Sequence, residues 1–269
     1  MKLTKLASAA ILAMAASGSA NAVVVDVEIT NLTHAQTFTP RLVIAHDATY
    51  DAFEPGQDAS TALAWLAEAG VIDDAQNADS SGQNFEAELG PVDTDNGANT
   101  WHRFGGTLGP SASLSYPFDT MDKPYLSLLT MLVPTNDAFA GLDSIEIPTT
   151  PGTYSYTLHA YDAGTELNDE INSTRTDVVE AGTGNALGGY GLPGVAGVGA
   201  SPVPLGDGGT GVGALIENGE LEDGTDGPVH IHRGILGDTS LTGGASDLDS
   251  TAHRWLNPVA RVTITVPAS

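Results

Sequence analysis

No cysteine occurs anywhere in this chain. That absence excludes thiolate nucleophiles, thiolate-bound zinc and iron–sulfur clusters, and it leaves the fold to be held without disulfides. Basic residues are scarce: 9 Lys and Arg stand against 34 Asp and Glu, giving a formal charge of −25. A surface of that sign repels nucleic acid and anionic lipid, so no nucleic-acid partner is expected, and no direct binding to an anionic membrane without calcium. Catalytic signatures are missing too, since neither Gly-x-Ser-x-Gly nor His-Glu-x-x-His occurs. The literal G-x-G-x-x-G at Gly189–Gly194 has Pro193 where a helix should open, and it reads as an accident of a Gly-rich tract. Past the first residues, no run approaches the roughly 20 apolar residues that cross a bilayer.

What is present begins with an export signature. Lys2 and Lys5 precede the apolar Leu6–Ala16 run, and Ala20-Asn21-Ala22 offers small residues for cleavage, so residues 1–22 read as a signal peptide. The expected mature domain spans 23–269, is soluble, and is exported to the periplasm or the medium. Alternation predicts strands over 23–30, 111–118 and 259–266, with apolar runs at 39–45, 126–133 and 154–161 completing the set. Asp58 as N-cap candidate, the helix-forming stretch Ser60–Ala69 and Gly70 behind it predict one helix, with Leu63, Leu66 and Ala67 as its buried stripe. A short strand is expected around Phe85–Leu89. Residues 180–227 are dominated by Gly and Pro and read as a mobile insertion within the one domain. Short strands, turn chemistry and a single helix together predict a mainly β chain, an antiparallel β-sandwich.

Two acidic loops carry the main chemical signal. The Leu126–Val133 run leads into Pro134-Thr135-Asn136-Asp137, and the Tyr154–Tyr161 run ends in Asp162-Ala163-Gly164-Thr165-Glu166. Carboxylates at the mouths of two core strands suit a hard, oxygen-liganded cation such as Ca²⁺, although Asp is also an ordinary, solvated turn residue. These same segments, with the terminal Ala260-Arg261-Val262-Thr263-Ile264 strand, resemble the spondin domain, the F-spondin N-terminal domain family. Thr37-Phe38-Thr39-Pro40, Ala45-His46-Asp47 and Phe53-Glu54-Pro55-Gly56 follow that family's opening in order. The resemblance covers about residues 23–166 and 254–266. It implies a β-sandwich similar to calcium-dependent lipid-binding domains, with Ca²⁺ held by Asp137, Asp162 and Glu166, the last a Glu where the family commonly has Asp. The acidic loops at core-strand ends, the export signature and the missing catalytic signatures lead to the expectation of a binding or adhesion module with an extracellular or cell-surface ligand, and not an enzyme. The family's cysteines are absent from this sequence.

Histidines supply the competing reading. His230 and His232 share one face if their segment is a strand, and such a pair can hold Zn²⁺ or Cu²⁺ with His253 or His46 as third ligand. His230 and His232 with a carboxylate would make a metal-assisted hydrolase of extracellular polymers. His46 beside Asp47 and His102 beside Trp101 read as structural hydrogen bonders. Asp93–Gly97 and Asp247–Asp249 look in part like calcium loops, yet neither continues to the distant Glu of an EF-hand.

Overall fold

The computed structural model describes residues 23–76, 80–90, 100–166, 168, 170, 190–192, 195–198, 216–217, 220–221, 227–237, 239 and 248–268. The expected signal peptide, the 93–97 loop and most of the 180–227 insertion lie outside these residues. In chain order the elements are β1 Val24–Asn31, β2 Thr37–Phe38, β3 Arg41–His46, α1 Thr61–Ala69, α2 Phe85–Leu89, β4 Thr100–Phe104, β5 Ser113–Asp119 and β6 Tyr125–Val133. There follow β7 Ala138–Glu146, β8 Gly152–Asp162, β9 Tyr190–Leu192, β10 Val195–Val198, β11 Ile216–Glu217, β12 Glu220–Leu221, β13 His230–Ile231 and β14 Ala260–Val266. Within the insertion, the described residues form two small antiparallel pairs, β9 with β10 and β11 with β12.

One antiparallel sheet of ten strands makes the body, in the order β4-β3-β6-β7-β8-β14-β1-β5, with β2 added to β6 and β13 to β8. Alternation sets which face is buried. Val25, Val27 and Ile29 of β1 and Val262, Ile264 and Val266 of β14 turn inward, while Asp26, Glu28 and Arg261 turn outward. The sheet curls until its two halves face each other across these residues, together with Val43, Leu128, Ala140 and Leu158. It is nearly a barrel. The end strands β4 and β5 meet through the Phe104 ring, stacked 3.8 Å from Tyr116 and 6.0 Å from Phe118. The mainly β, antiparallel sandwich expected from the alternation is therefore what forms.

A second apolar layer covers the outer face. The β3 residues Leu42 and Ile44 point away from the barrel interior and, with Leu129 and Phe139, take α1 upon them. Helix α1 starts at Ser60, whose side chain accepts the Leu63 N–H, so Ser60 and not Asp58 is the N-cap. It ends at Gly70 with φ +66°, a left-handed C-cap. The expected stripe of Leu63, Leu66 and Ala67 is buried, but so is every other residue from Ala62 to Ala69.

Three elements differ from expectation. Phe85–Leu89 is a helical turn, α2, because Asn84 caps it by accepting the Ala87 N–H. Ala138–Glu146 is the full strand β7, and Thr100–Phe104 is the strand β4. Between Leu126 and Leu128 of β6 the pairing with β7 shifts register, placing Asp143 and Ser144 opposite Ser127 as a bulge.

Candidate metal centre

The site begins with the turn between β6 and β7. The Thr135 hydroxyl donates to the Leu132 carbonyl (2.5 Å) and accepts the Ala138 N–H (3.2 Å), which fixes the turn and delivers Asp137 to the first position before β7. Asp137 is wholly shut off from solvent. Its Oδ2 accepts three hydrogen bonds, from the Thr165 N–H (2.8 Å), the Glu166 N–H (3.1 Å) and the Thr165 hydroxyl (3.2 Å). Its Oδ1 is buried with no hydrogen-bond partner among the described residues.

The second loop leaves β8 at Asp162, also fully buried. Asp162 Oδ1 accepts the Gly164 N–H at 2.8 Å, while Oδ2 receives the Asn168 side-chain amide. Gly164 must be glycine: its φ is +74°, and a Cβ there would stand 1.7 Å from the Gly227 carbonyl oxygen. Glu166 is 3% exposed and is drawn against Asp137 through its own backbone N–H. The structure thus brings Asp137, Asp162 and Glu166, all three of the expected ligands, into one buried junction of two loops.

A fourth carboxylate was not foreseen. Glu68, in the last turn of α1, is completely buried, and neither of its oxygens has a hydrogen-bond partner among the described residues. The sequence carried one signal for it, since Glu68 is the single ionisable residue in a helix otherwise built of Ala, Leu, Trp and Thr.

Electrostatics set these groups apart from surface acids. Burial pushes the Asp137 carboxyl up to about 8, with the Asp162 charge adding to the rise and the Thr165 and Glu166 hydrogen bonds opposing it. Burial also holds Glu68 well above the ordinary carboxylate range; the neighbouring Thr165 hydroxyl lowers it and the Asp137 charge raises it further. Carboxylate oxygens only accept, so buried ones without donors require a proton or a cation. The donor set, all oxygen and strongly anionic, fits a hard cation such as Ca²⁺. As the side chains stand, no three His, Asp or Glu among the described residues are gathered into a ready-made ligand cage. Binding would therefore require some of these side chains to close in.

The two histidines of the competing reading do converge, on Asp162 Oδ2, with His230 Nε2 at 3.8 Å and His232 Nε2 at 3.9 Å. Their hydrogen bonds differ. His230 Nδ1 faces the Pro228 carbonyl at 3.0 Å and therefore carries the proton, which leaves the lone pair on Nε2. His232 Nδ1 accepts the Gly234 N–H at 2.9 Å, so its neutral ring carries the proton on Nε2 and points a donor at Asp162. The pair does not offer two lone pairs to a metal, and together with Asp162 it forms no three-residue cluster able to hold one among the described residues. His46 is a structural hydrogen bonder, bridging the Asp47 carbonyl (2.9 Å) and the Ser127 hydroxyl (2.8 Å). His253 is occupied by the Asp249 backbone. The Asp249 carboxylate closes a local turn onto Thr251.

Tyr161, the chain neighbour of Asp162, opens onto the outer face. There it lines a cavity of about 430 Å³ with Asp51, Glu54, Asp143 and His159, and the Phe53 ring packs against Gly141 as its floor. A family model described as Spondin_N matches residues 27–180, more than half of the chain. No curated protein matches the chain.

Proposed function

The chain belongs to the Spondin_N family, and from that membership we propose that it is an exported β-sandwich module that holds Ca²⁺ through Asp137, Asp162 and Glu166 and acts in binding or adhesion, not catalysis. The observation that carries the calcium is the burial of Asp137 with Oδ1 lacking any donor among the described residues, beside a second buried carboxylate and in a chain with few cations to spare. An ion there neutralises the repulsion between Asp137 and Asp162 and ties the β6–β7 turn to the 162–166 loop.

Export is supported by the residue 1–22 signature and by the family, whose members are extracellular modules. Among the described residues, no helix is long and apolar enough to cross a membrane. A binding role is supported by the open cavity beside Tyr161, which a ligand on a cell surface or in the surrounding matrix can enter.

The test is a calorimetric titration of chelator-treated protein with Ca²⁺, together with its melting temperature. Wild-type protein gives one saturable binding event and a higher melting temperature, because a ligand bound only to the folded state stabilises it by mass action, about 2.7 kcal/mol at a hundredfold excess over Kd. An Asp137→Ala/Asp162→Ala protein shows neither. Identical heats and melting shifts in the two proteins refute the calcium site.

A further inference from the structure

We propose that Glu68 is a fourth carboxylate of this cation site, delivered by helix α1, and that the resulting charge makes the site prefer hard cations of high charge, trivalent lanthanides above Ca²⁺. The inference rests on the calcium reading and extends it to an element that the two loops do not contain.

The argument is one of supply. The Thr165 hydroxyl neighbours Glu68, and it already donates to Asp137 Oδ2 at 3.2 Å. A hydroxyl has one proton, so it cannot serve both carboxylates at once. Both oxygens of Glu68 and Oδ1 of Asp137 are left buried without a donor among the described residues. No Lys or Arg among the described residues pairs with either acid. A cation drawn in among them would answer these oxygens once the side chains close toward it.

The helix adds to the case. Its C-terminal end carries the negative pole of the backbone dipoles, and no basic residue stands in the last turn to balance it. The end is also fixed in place. Gly70 lies so close to Thr39 that a Cβ would meet its side chain at 2.6 Å, so the end of α1 is packed tightly against the chain before β3. Charge count tunes affinity in oxygen-ligand sites, and four carboxylates favour a trivalent ion over a divalent one.

The experiment compares wild-type and Glu68→Gln proteins, both treated with chelator, titrated with Ca²⁺ and separately with Tb³⁺, with the metal-free melting temperature measured alongside. Glu68→Gln is expected to weaken Ca²⁺ by about tenfold or more, to weaken Tb³⁺ by a larger factor, and to melt no lower than wild type without metal. Wild-type protein that binds no Ca²⁺ brings down the calcium reading and this inference with it. Wild-type binding that Glu68→Gln matches overturns this inference alone. A variant that loses Ca²⁺ but also melts lower without metal overturns it as well, since damage to α1 then accounts for the loss.

Discussion

Gly164 and Gly227 touch backbone to backbone, with no room between them for a single methyl group. The contact joins the loop that carries Asp162 and Glu166 to the segment that re-enters the sheet as β13. From there Val229 exchanges backbone hydrogen bonds with Gly56 and Gln57 (2.7 and 2.8 Å), and β13 pairs with the last residues of β8.

Gly164→Ala is therefore expected to destabilise the protein by more than about 2 kcal/mol, through the cost of a left-handed alanine and the displacement of a backbone carbonyl. It should lower Ca²⁺ affinity as well, because the loop must shift. Chemical denaturation with and without Ca²⁺ measures both. An alanine protein as stable as wild type would show that the segment around Gly227 yields freely.

The metal-free protein should lose stability as pH rises. Asp137 has a folded value of about 8 against an ordinary 3.8, so between those values the folded state keeps a proton that the unfolded chain releases. Its stabilising contribution is complete below about pH 4 and disappears as pH climbs through about 8. Melting temperatures in EDTA, taken from acid pH to about pH 9, should fall along that limb in wild type and flatten in Asp137→Asn. Ca²⁺ binding near neutral pH should release protons, seen as calorimetric heats that vary with the ionisation enthalpy of the buffer.

These groups also mark the limit of what the sequence shows. Strands β1, β5 and β14 are legible because one face of each meets the core and the other meets solvent, which writes the period of two directly into Val25, Val27 and Ile29. Strand β7 is illegible by the same rule, since Ala138–Gly141 are buried on both faces and the glycine resembles a turn. Segment 85–89 misleads because Phe85, Ala87 and Leu89 alternate like a strand, while the deciding feature is the Asn84 cap. Asp137, Asp162 and Glu166 are visible as acids after apolar runs and through the family motif. Glu68 is marked only by being the one ionisable residue of α1, because it takes the packing of α1 on the sheet to turn a helical Glu into a buried charge.

Ser60→Ala should cost about 1 kcal/mol, the usual value of a helix N-cap, by leaving the Leu63 N–H without its acceptor. Because α1 also carries Glu68, the loss should be greater with Ca²⁺ bound than without it. Thermal unfolding in the two conditions gives the comparison, and an equal loss in both would place the helix outside the cation site.

Phe104→Leu should cost about 1 kcal/mol by removing the stacked pair with Tyr116 while keeping most of the apolar volume. Amide hydrogen exchange should quicken in β4 and β5 before any other strands. Uniform quickening across the sheet would mean that the rings play no special part in joining its ends.

That pair of rings gives the molecule a preferred line of failure. Every other neighbouring pair of strands along the sheet is laced by backbone amides, whereas β4 and β5 are held to each other by side chains alone among the described residues. A cylinder sealed in this way unrolls from its seam, and the edges it bares are the ones on which another extended chain can grow. Pro117, which has no N–H to offer, stands within one of those edges as a built-in brake on such growth.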